Sequence, residues 1–460
     1  MSDGSLDQRR RKILKGLAGG SVALLAGCTG DGGGGGGGDG GDGDGGGSNG
    51  GDGGGGGSSG GDGGGGGGDS SVRFVHISSF DADASAIKPM FDEDHDGITL
   101  DATATTAESS TTREFYINQF VSQSSDFDVG MMDVIWPGEF VGNDWAAPVE
   151  DTQGVTDSML QTPVDAVTLD GELYGIPMFT DANAFYYRSD KLEEYGFEPP
   201  ETYSEVVTQA QEILEQDDEI QNGYIWQGGA NEGLTIMWLN WLWGYGGTVW
   251  RDDQSRLKVN SENGIEALSH AVDLIHEHEI TPRSIPSSGT DGNRQTFQQG
   301  KTLFMRQWPY AVGIYRDDTA VTGKFDVTTM PKAEGNPDAK NSCLGGWSVF
   351  INSFSDNKDA ATEFANFVGT KPVQETLALE FNRLPVREDL YTEEFFEQAP
   401  TLETFAEALQ QTTARPATPK YTTFSEIVYT EANKALVQDK TPEKALNDAQ
   451  EQIDSEINNA

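Results

Sequence analysis

The sequence predicts an α/β protein of two lobes, and three observations carry that prediction. Of the 460 residues, the 389 that follow residue 71 are more than one compact core accommodates. From Val72 to Trp136 strand and helix patterns alternate, a β-α-β rhythm that predicts a mixed, largely parallel sheet with helices on its faces. The chain also holds 9 Trp, 22 Phe and 13 Tyr, enough aromatic surface to build a core in spite of a very acidic composition.

The first segment reads as an address. "RRRKILK" (9–15) precedes twelve uncharged small and apolar residues, Gly16 to Gly27, far short of the ~20 needed to span a bilayer. A basic start, a short apolar stretch and small residues before a cleavage point describe a secretory signal peptide over 1–27. The pair Arg10-Arg11 resembles a twin-arginine export signal. Leu25-Ala26-Gly27-Cys28 resembles a prokaryotic lipobox, which implies a lipidated Cys28 as the first mature residue. Residues 29–71 are Gly, Asp, Ser, one Thr and one Asn. With no apolar side chain to offset ordering entropy, 28–71 is expected to be a disordered tether with an r.m.s. span of roughly 35–40 Å.

In the body, "VRFVHISSF" opens as a strand, "REFYINQFVSQ" (113–123) spaces Phe115, Ile117, Phe120 and Val121 for a helix, and "DVGMMDVIW" (128–136) reads as a buried strand. Thr202 and Glu205 form a capping box at the start of a helix with Val206, Ala210, Ile213 and Leu214 on one face. "WLNWLWGYGGTVW" (238–250) is dense in aromatics, "SENGIEALSHAVDLIHEH" and "NKDAATEFANFVGT" are amphipathic helices, and helical stretches around 423–438 and 442–457 close the chain. There is no repeat and no long internal linker.

Charge limits the partners. The chain carries 75 acidic against 30 basic residues. Setting aside the nine Asp and five basic residues of 1–71 leaves 66 against 25, a net charge near −41. Such a body repels phosphates, so nucleic acid is not a partner. It fits a protein of very salty surroundings, where like charges are screened over a few ångströms. With Cys28 assigned to lipidation, Cys343 has no disulfide mate and is expected to be a small buried hydrophobe.

Enzyme signatures are missing. The five His (His76, His95, His270, His276, His278) form no HExxH, no CxxC occurs, and neither a G-x-S-x-G elbow nor a phosphate loop is present. Paired carboxylates for glycoside hydrolysis carry no signal among so many acids. No cofactor and no metal are expected. What stands out is a mix of Trp and Tyr, which can lie on the C–H faces of sugars, with carboxylates, amides and guanidinium groups that can partner hydroxyls. Gly345-Gly346-Trp347 sets a Trp beside backbone that a ligand can approach closely.

Five segments, in order, carry a family resemblance: "LYGIPMFTDANAFYYRSDKLEEYGFEPPETYSEV", "FQQGKTLFMRQWPYAVG" (297–313), "LGGWSVFINSFSDNKDAATEFANFV", "RLPVREDLY" and "ARPATPKYTTFSEIVYTEANKAL". The body resembles the family 1 extracellular solute-binding proteins of ABC importers, most of all the trehalose/maltose-binding branch. The resemblance implies a two-lobed periplasmic-binding-protein fold (type II-like), with a hinge and an interlobe ligand cleft. It implies lobe one at about 72–182 plus 322–375 and lobe two at about 183–321 plus 376–460. Asp181 matches an acid that binds sugar hydroxyls, and two positions earlier Phe179 stands where the family has Tyr. Trp308 matches a stacking Trp, Gly346 and Trp347 a Gly-Trp pair at the cleft wall, and Arg415 an Arg that donates a fork of hydrogen bonds. Asp81, Arg113 and Asp133 match polar cleft positions, and Trp136 and Glu139 are further candidates on the same strand-to-loop transition. Two of these have an equally good local reading: Asp133 as a strand-end residue capping a helix, Arg113 as the partner of a nearby carboxylate.

The function so implied is non-covalent capture of a mono- or disaccharide such as glucose, maltose or trehalose, and its delivery to ABC permease subunits. The carrier is expected to be a monomer, lipid-anchored at the extracellular face of the cell membrane. The alternatives are an anchored glycoside hydrolase and a binder of the same fold for a non-sugar solute.

Overall fold

A computed structural model describes residues 70–251, 256–416 and 418–459. The signal, Cys28 and tether readings lie outside them. Among the described residues, no helix is long and apolar enough to cross a membrane.

Two hydrophobic cores organise the chain. The first is built on a sheet in which Ser70–His76 pairs in parallel with Ile98–Ala104 and with Val129–Asp133. The inward positions Val72, Phe74, Val129 and Met131 are fully buried, as alternation requires. Helices Asp81–Asp94, Ser109–Val121 and Lys358–Val368 bring Phe91, Tyr116, Phe120 and Phe364 onto it. Tyr116 stays dry because its hydroxyl donates to the Val75 carbonyl at 2.9 Å and accepts from the Met131 amide at 3.0 Å.

The sheet is mixed, but the expectation of a largely parallel one needs correcting. The long strand Ser342–Asn352 runs antiparallel to Val129–Asp133 on one side and to Ile176–Ala182 on the other. The reason is topological: this strand enters from the second core, since Cys343 packs there while Val349, Phe350 and Ile351 pack in the first. Cys343 is free and fully buried.

The second core has a four-stranded sheet ordered Asp326–Thr328, Ala184–Tyr187, Thr302–Gln307, Asn222–Ile225. Helix Glu232–Gly244 is buried on every side, as its sequence EGLTIMWLNWLWG, apolar all round, demands. Its indoles find partners: Trp238 donates to the Gly264 carbonyl at 3.0 Å and Trp241 packs edge-on to Trp226 at 4.9 Å. Helix Tyr203–Gln216 starts with the capping box read from sequence, the Glu205 amide donating to Thr202 Oγ1 at 3.3 Å and the Thr202 amide to Glu205 Oε2 at 2.9 Å. The terminal helices are Tyr421–Leu436 and Pro442–Ile453.

The chain passes from one sheet to the other at Asn183. Its amide donates to Ser342 Oγ at 2.8 Å and its side-chain amide to the Cys343 carbonyl at 2.7 Å. Two neighbouring crossings are thus stapled together between the cores.

Candidate functional site

A narrow cavity of about 70 Å³ lies between the two cores. Six of the residues singled out from sequence line it: Asp133, Asp181, Trp308, Gly346, Trp347 and Arg415. They arrive from separate elements. Asp133 ends a strand of the first sheet, and in the antiparallel register it stands opposite Trp347. Asp181 lies on Ile176–Ala182, opposite Gly345. Trp308 follows the second sheet's Thr302–Gln307, and Arg415 follows the short strand Thr412–Thr413.

Two glycines make the approach of these groups possible. A Cβ on Gly345 would come 2.7 Å from the Trp308 ring and 3.1 Å from Asp181 Cβ. Gly346 has φ +140°, a conformation that side chains rarely adopt, and a Cβ there would meet the Phe179 carbonyl at 2.8 Å.

The charges form a linked set. Arg415 donates to Glu232 Oε1 at 2.8 Å and to Asp133 Oδ1 at 3.0 Å, so it ties the second core's buried helix to the first core's sheet. Glu232 also accepts from Tyr421 Oη at 2.7 Å and Ser425 Oγ at 2.5 Å. Burial pushes the Glu232 carboxyl up, against the pull of Arg415. Burial opposes charge on Arg415 too, but Asp133 and its other neighbours hold it well above the ordinary range. Asp133 accepts from Ser109 Oγ at 2.8 Å and, weakly, from the Ile135 amide at 3.4 Å, but it caps neither helix Ser109–Val121 nor helix Pro137–Gly142, whose first turns take no side-chain cap; its role is that of an ion-pair partner. Arg383, also on the cavity, grips Asp83 at 2.7 and 3.1 Å and lies over the rings of Phe179 and Tyr310.

Asp181 differs from the rest. Its Oδ1 is buried without a hydrogen-bond partner. Burial, opposed by Arg383, drives its carboxyl up to about 7. Tyr310 Oη and Arg415 Nε are likewise buried and unpartnered. Beneath Trp308 lies Arg306, fully buried, its guanidinium carbon 4.2 Å from the ring centroid; burial lowers it to about 10.

The other four sequence candidates sit elsewhere. Trp136 is in the first core, edge-on to Trp347 at 5.3 Å. Arg113 pairs in a fork with Glu139 at 2.7 and 2.5 Å, so the local reading of Arg113 holds and the two satisfy each other. Asp81 is exposed in the first turn of its helix. Sequence reasoning passed over Glu108, Gln227, Glu232, Thr290, Tyr310 and Arg383, all on the cavity. One visible signal was Arg306, a charge inside the apolar strand TLFMRQ.

A roomier space of about 470 Å³ also borders Gly345, Gly346, Trp347 and Arg415, and is otherwise walled by residues such as Pro137, Pro163, Pro177, Phe179, Pro416 and Tyr421. Of the three unpartnered groups only Arg415 borders it; Asp181 and Tyr310 do not. Among the described residues no group of three His, Cys, Asp or Glu is placed to hold a metal ion.

Two cores, chain crossings stapled between them and a polar, aromatic-walled cavity at their junction define a two-lobed solute-binding protein. Residues 76–375 match the model of the bacterial extracellular solute-binding protein family, and the chain belongs to that family. It is a substrate-binding protein of an ABC transporter and not an enzyme. A probable ABC transporter-binding protein of Deinococcus radiodurans is 29% identical over 359 residues, 75% of this chain and 84% of its relative. The maltose-bound T. maritima MalE3 structure is 30% identical with a TM-score of 0.76, covering 83% of this chain and 98% of that one. A solute-binding protein of Agrobacterium vitis with bound D-mannitol shares the fold at 18% identity and a TM-score of 0.73, over 85% and 99% of the two chains.

Proposed function

We propose that the chain captures a neutral carbohydrate, a mono- or disaccharide, between its lobes and hands it to an ABC permease. The observation that carries this reading is the set of buried, unpartnered polar atoms on one cavity, Asp181 Oδ1, Tyr310 Oη and Arg415 Nε, flanked by Trp308 and Trp347. Such atoms each cost free energy until a partner arrives, and hydroxyls between two indoles supply both a partner and a face to stack on. The similarity to the maltose-bound MalE3 supports a sugar. The contact set is then Asp133, Asp181, Trp308, Gly346, Trp347 and Arg415, with Asp81, Arg113, Trp136 and Glu139 outside it. Capture is hinge closure, because the cavity is too narrow to admit a sugar ring unless its sides part.

The lobes divide at the Asn183 crossing. With Asp326–Thr328 in the smaller sheet, the second segment of the first lobe starts at the strand Ser342–Asn352 rather than at 322. Export through 1–27, lipidation of Cys28 and the tether 28–71 hold the body as a monomer above the extracellular face of the membrane. Calorimetry and thermal shift with glucose, maltose, trehalose and mannitol in concentrated salt test the binding reading. A melting temperature raised by intact sugar with no product formed is expected. Hydrolysis, or indifference to every sugar, overturns it. Cys28→Ser is expected to release the protein into the medium; retention at the membrane would remove the anchor.

A further inference from the structure

Glu108 reaches from one core to the other across the rim of the cavity. Its backbone sits just before helix Ser109–Val121 of the first core, while its carboxylate accepts from the Thr290 amide at 2.8 Å and from Thr290 Oγ1 at 3.4 Å. Thr290 opens helix Thr290–Phe297, whose Phe297 packs in the second core. The first free N–H groups of a helix attract a carboxylate, and here the carboxylate comes from the opposite side. Gly289 leaves the room for it: a Cβ at 289 would overlap Glu108 Oε1. The contact does not stop at Thr290. Gln227 Nε2 donates to Thr290 Oγ1, Arg306 Nη1 donates to Gln227 Oε1, and Arg306 lies under the Trp308 ring.

We propose that Glu108 is a positioning residue for capture: a clasp that engages the Gly289–Thr290 turn when the cavity closes and, through Gln227 and Arg306, fixes the Trp308 ring. The clasp slows release without touching the solute. What it retains rests on the saccharide reading above; the clasp itself does not.

The experiment uses the full chain and two readouts. Amide exchange followed by mass spectrometry reports the Thr290 N–H directly. Glu108→Ala is expected to speed its exchange roughly tenfold, the scale of one hydrogen bond to a charged acceptor, and Glu108→Gln to restore much of the protection. Stopped flow reports dissociation of whichever of maltose, trehalose, glucose or mannitol raises the melting temperature most. Glu108→Ala is expected to raise that rate several-fold with little change in the association rate. Gly289→Ala should do the same in the native background and nothing further in Glu108→Ala, because the group it displaces is then gone. Unchanged Thr290 exchange in Glu108→Ala, or an effect of Gly289→Ala that is full in both backgrounds, overturns the clasp. If no sugar in the panel binds, the saccharide reading fails and the exchange result still decides the clasp.

Discussion

The outer edge of the Trp308 indole lies on the bare backbone of Gly345, where a Cβ would stand 2.7 Å from Cζ3 and 2.9 Å from Cη2. Gly345→Ala should tilt the ring out of the cavity rather than break the sheet, since the ring edge is the part free to swing. Overpacking of this kind costs about 1–3 kcal/mol. It is expected in sugar affinity, measured by calorimetry, with the ligand-free melting temperature nearly constant. A large fall in melting temperature with intact affinity would show that the ring is only a structural prop.

Trp308→Ala removes the aromatic face altogether. A loss of about 1–3 kcal/mol in sugar binding is expected, the scale for a packed aromatic anchor. An unchanged dissociation constant would take Trp308 out of the site.

Asp181 gives a pH signature. Its folded-state value, about 7 against an ordinary 3.8, is raised chiefly by burial. The folded protein therefore holds a proton that the unfolded chain has released, and this group's contribution to stability falls as pH rises from 3.8 to about 7, then levels off. Asp181→Asn should raise the ligand-free melting temperature at pH 8 and have a smaller effect at pH 5. An equal effect at both would mean the carboxyl titrates normally.

Arg415 balances Asp133 and Glu232, all three buried. Arg415→Ala strands two carboxylates and should destabilise by about 3–5 kcal/mol in denaturant unfolding. Arg415→Lys should recover only part, because an ammonium cannot reproduce the planar fork. Full recovery with Lys would reduce the role of Arg415 to that of a point charge.

Salt should matter as well. A body net charge near −41 repels itself at low ionic strength, and at ~1 M the screening length shrinks to roughly 3 Å. The melting temperature is expected to climb steeply over that range, and a flat salt response would count against adaptation to brine.

Local patterns were legible in the sequence and distant pairings were not. The Thr202–Glu205 cap needs only a spacing of three, and it formed as read. Asp181, Trp308, Gly346, Trp347 and Arg415 lie in motifs that the family resemblance picks out, and they meet on one cavity. Glu232 and Asp83 went unnoticed because their meaning comes from Arg415 and Arg383, 183 and 300 residues away. Among 66 acids of the body no spacing marks them. Arg113 and Glu139 drew attention for the right polarity, but 26 residues apart they neutralise each other. Trp136 shows the limit for aromatics: the same side chain serves a core or a cleft, and only packing tells which.

The strand Ser342–Asn352 starts in one core and finishes in the other, and its regular pairing with Ile176–Ala182 slips between Trp347 and Ser348, one residue beyond Gly346. Any rocking of the two halves bends the ribbon at the Asn183–Ser342 crossing, ahead of this slip, so Trp347, packed in the first core, travels with that half as a fixed wall. A solute too thick to fit against that wall would leave the jaws ajar, and one too thin would leave it uncovered. Thickness, and not chemistry alone, would then be gauged before a cargo is carried away.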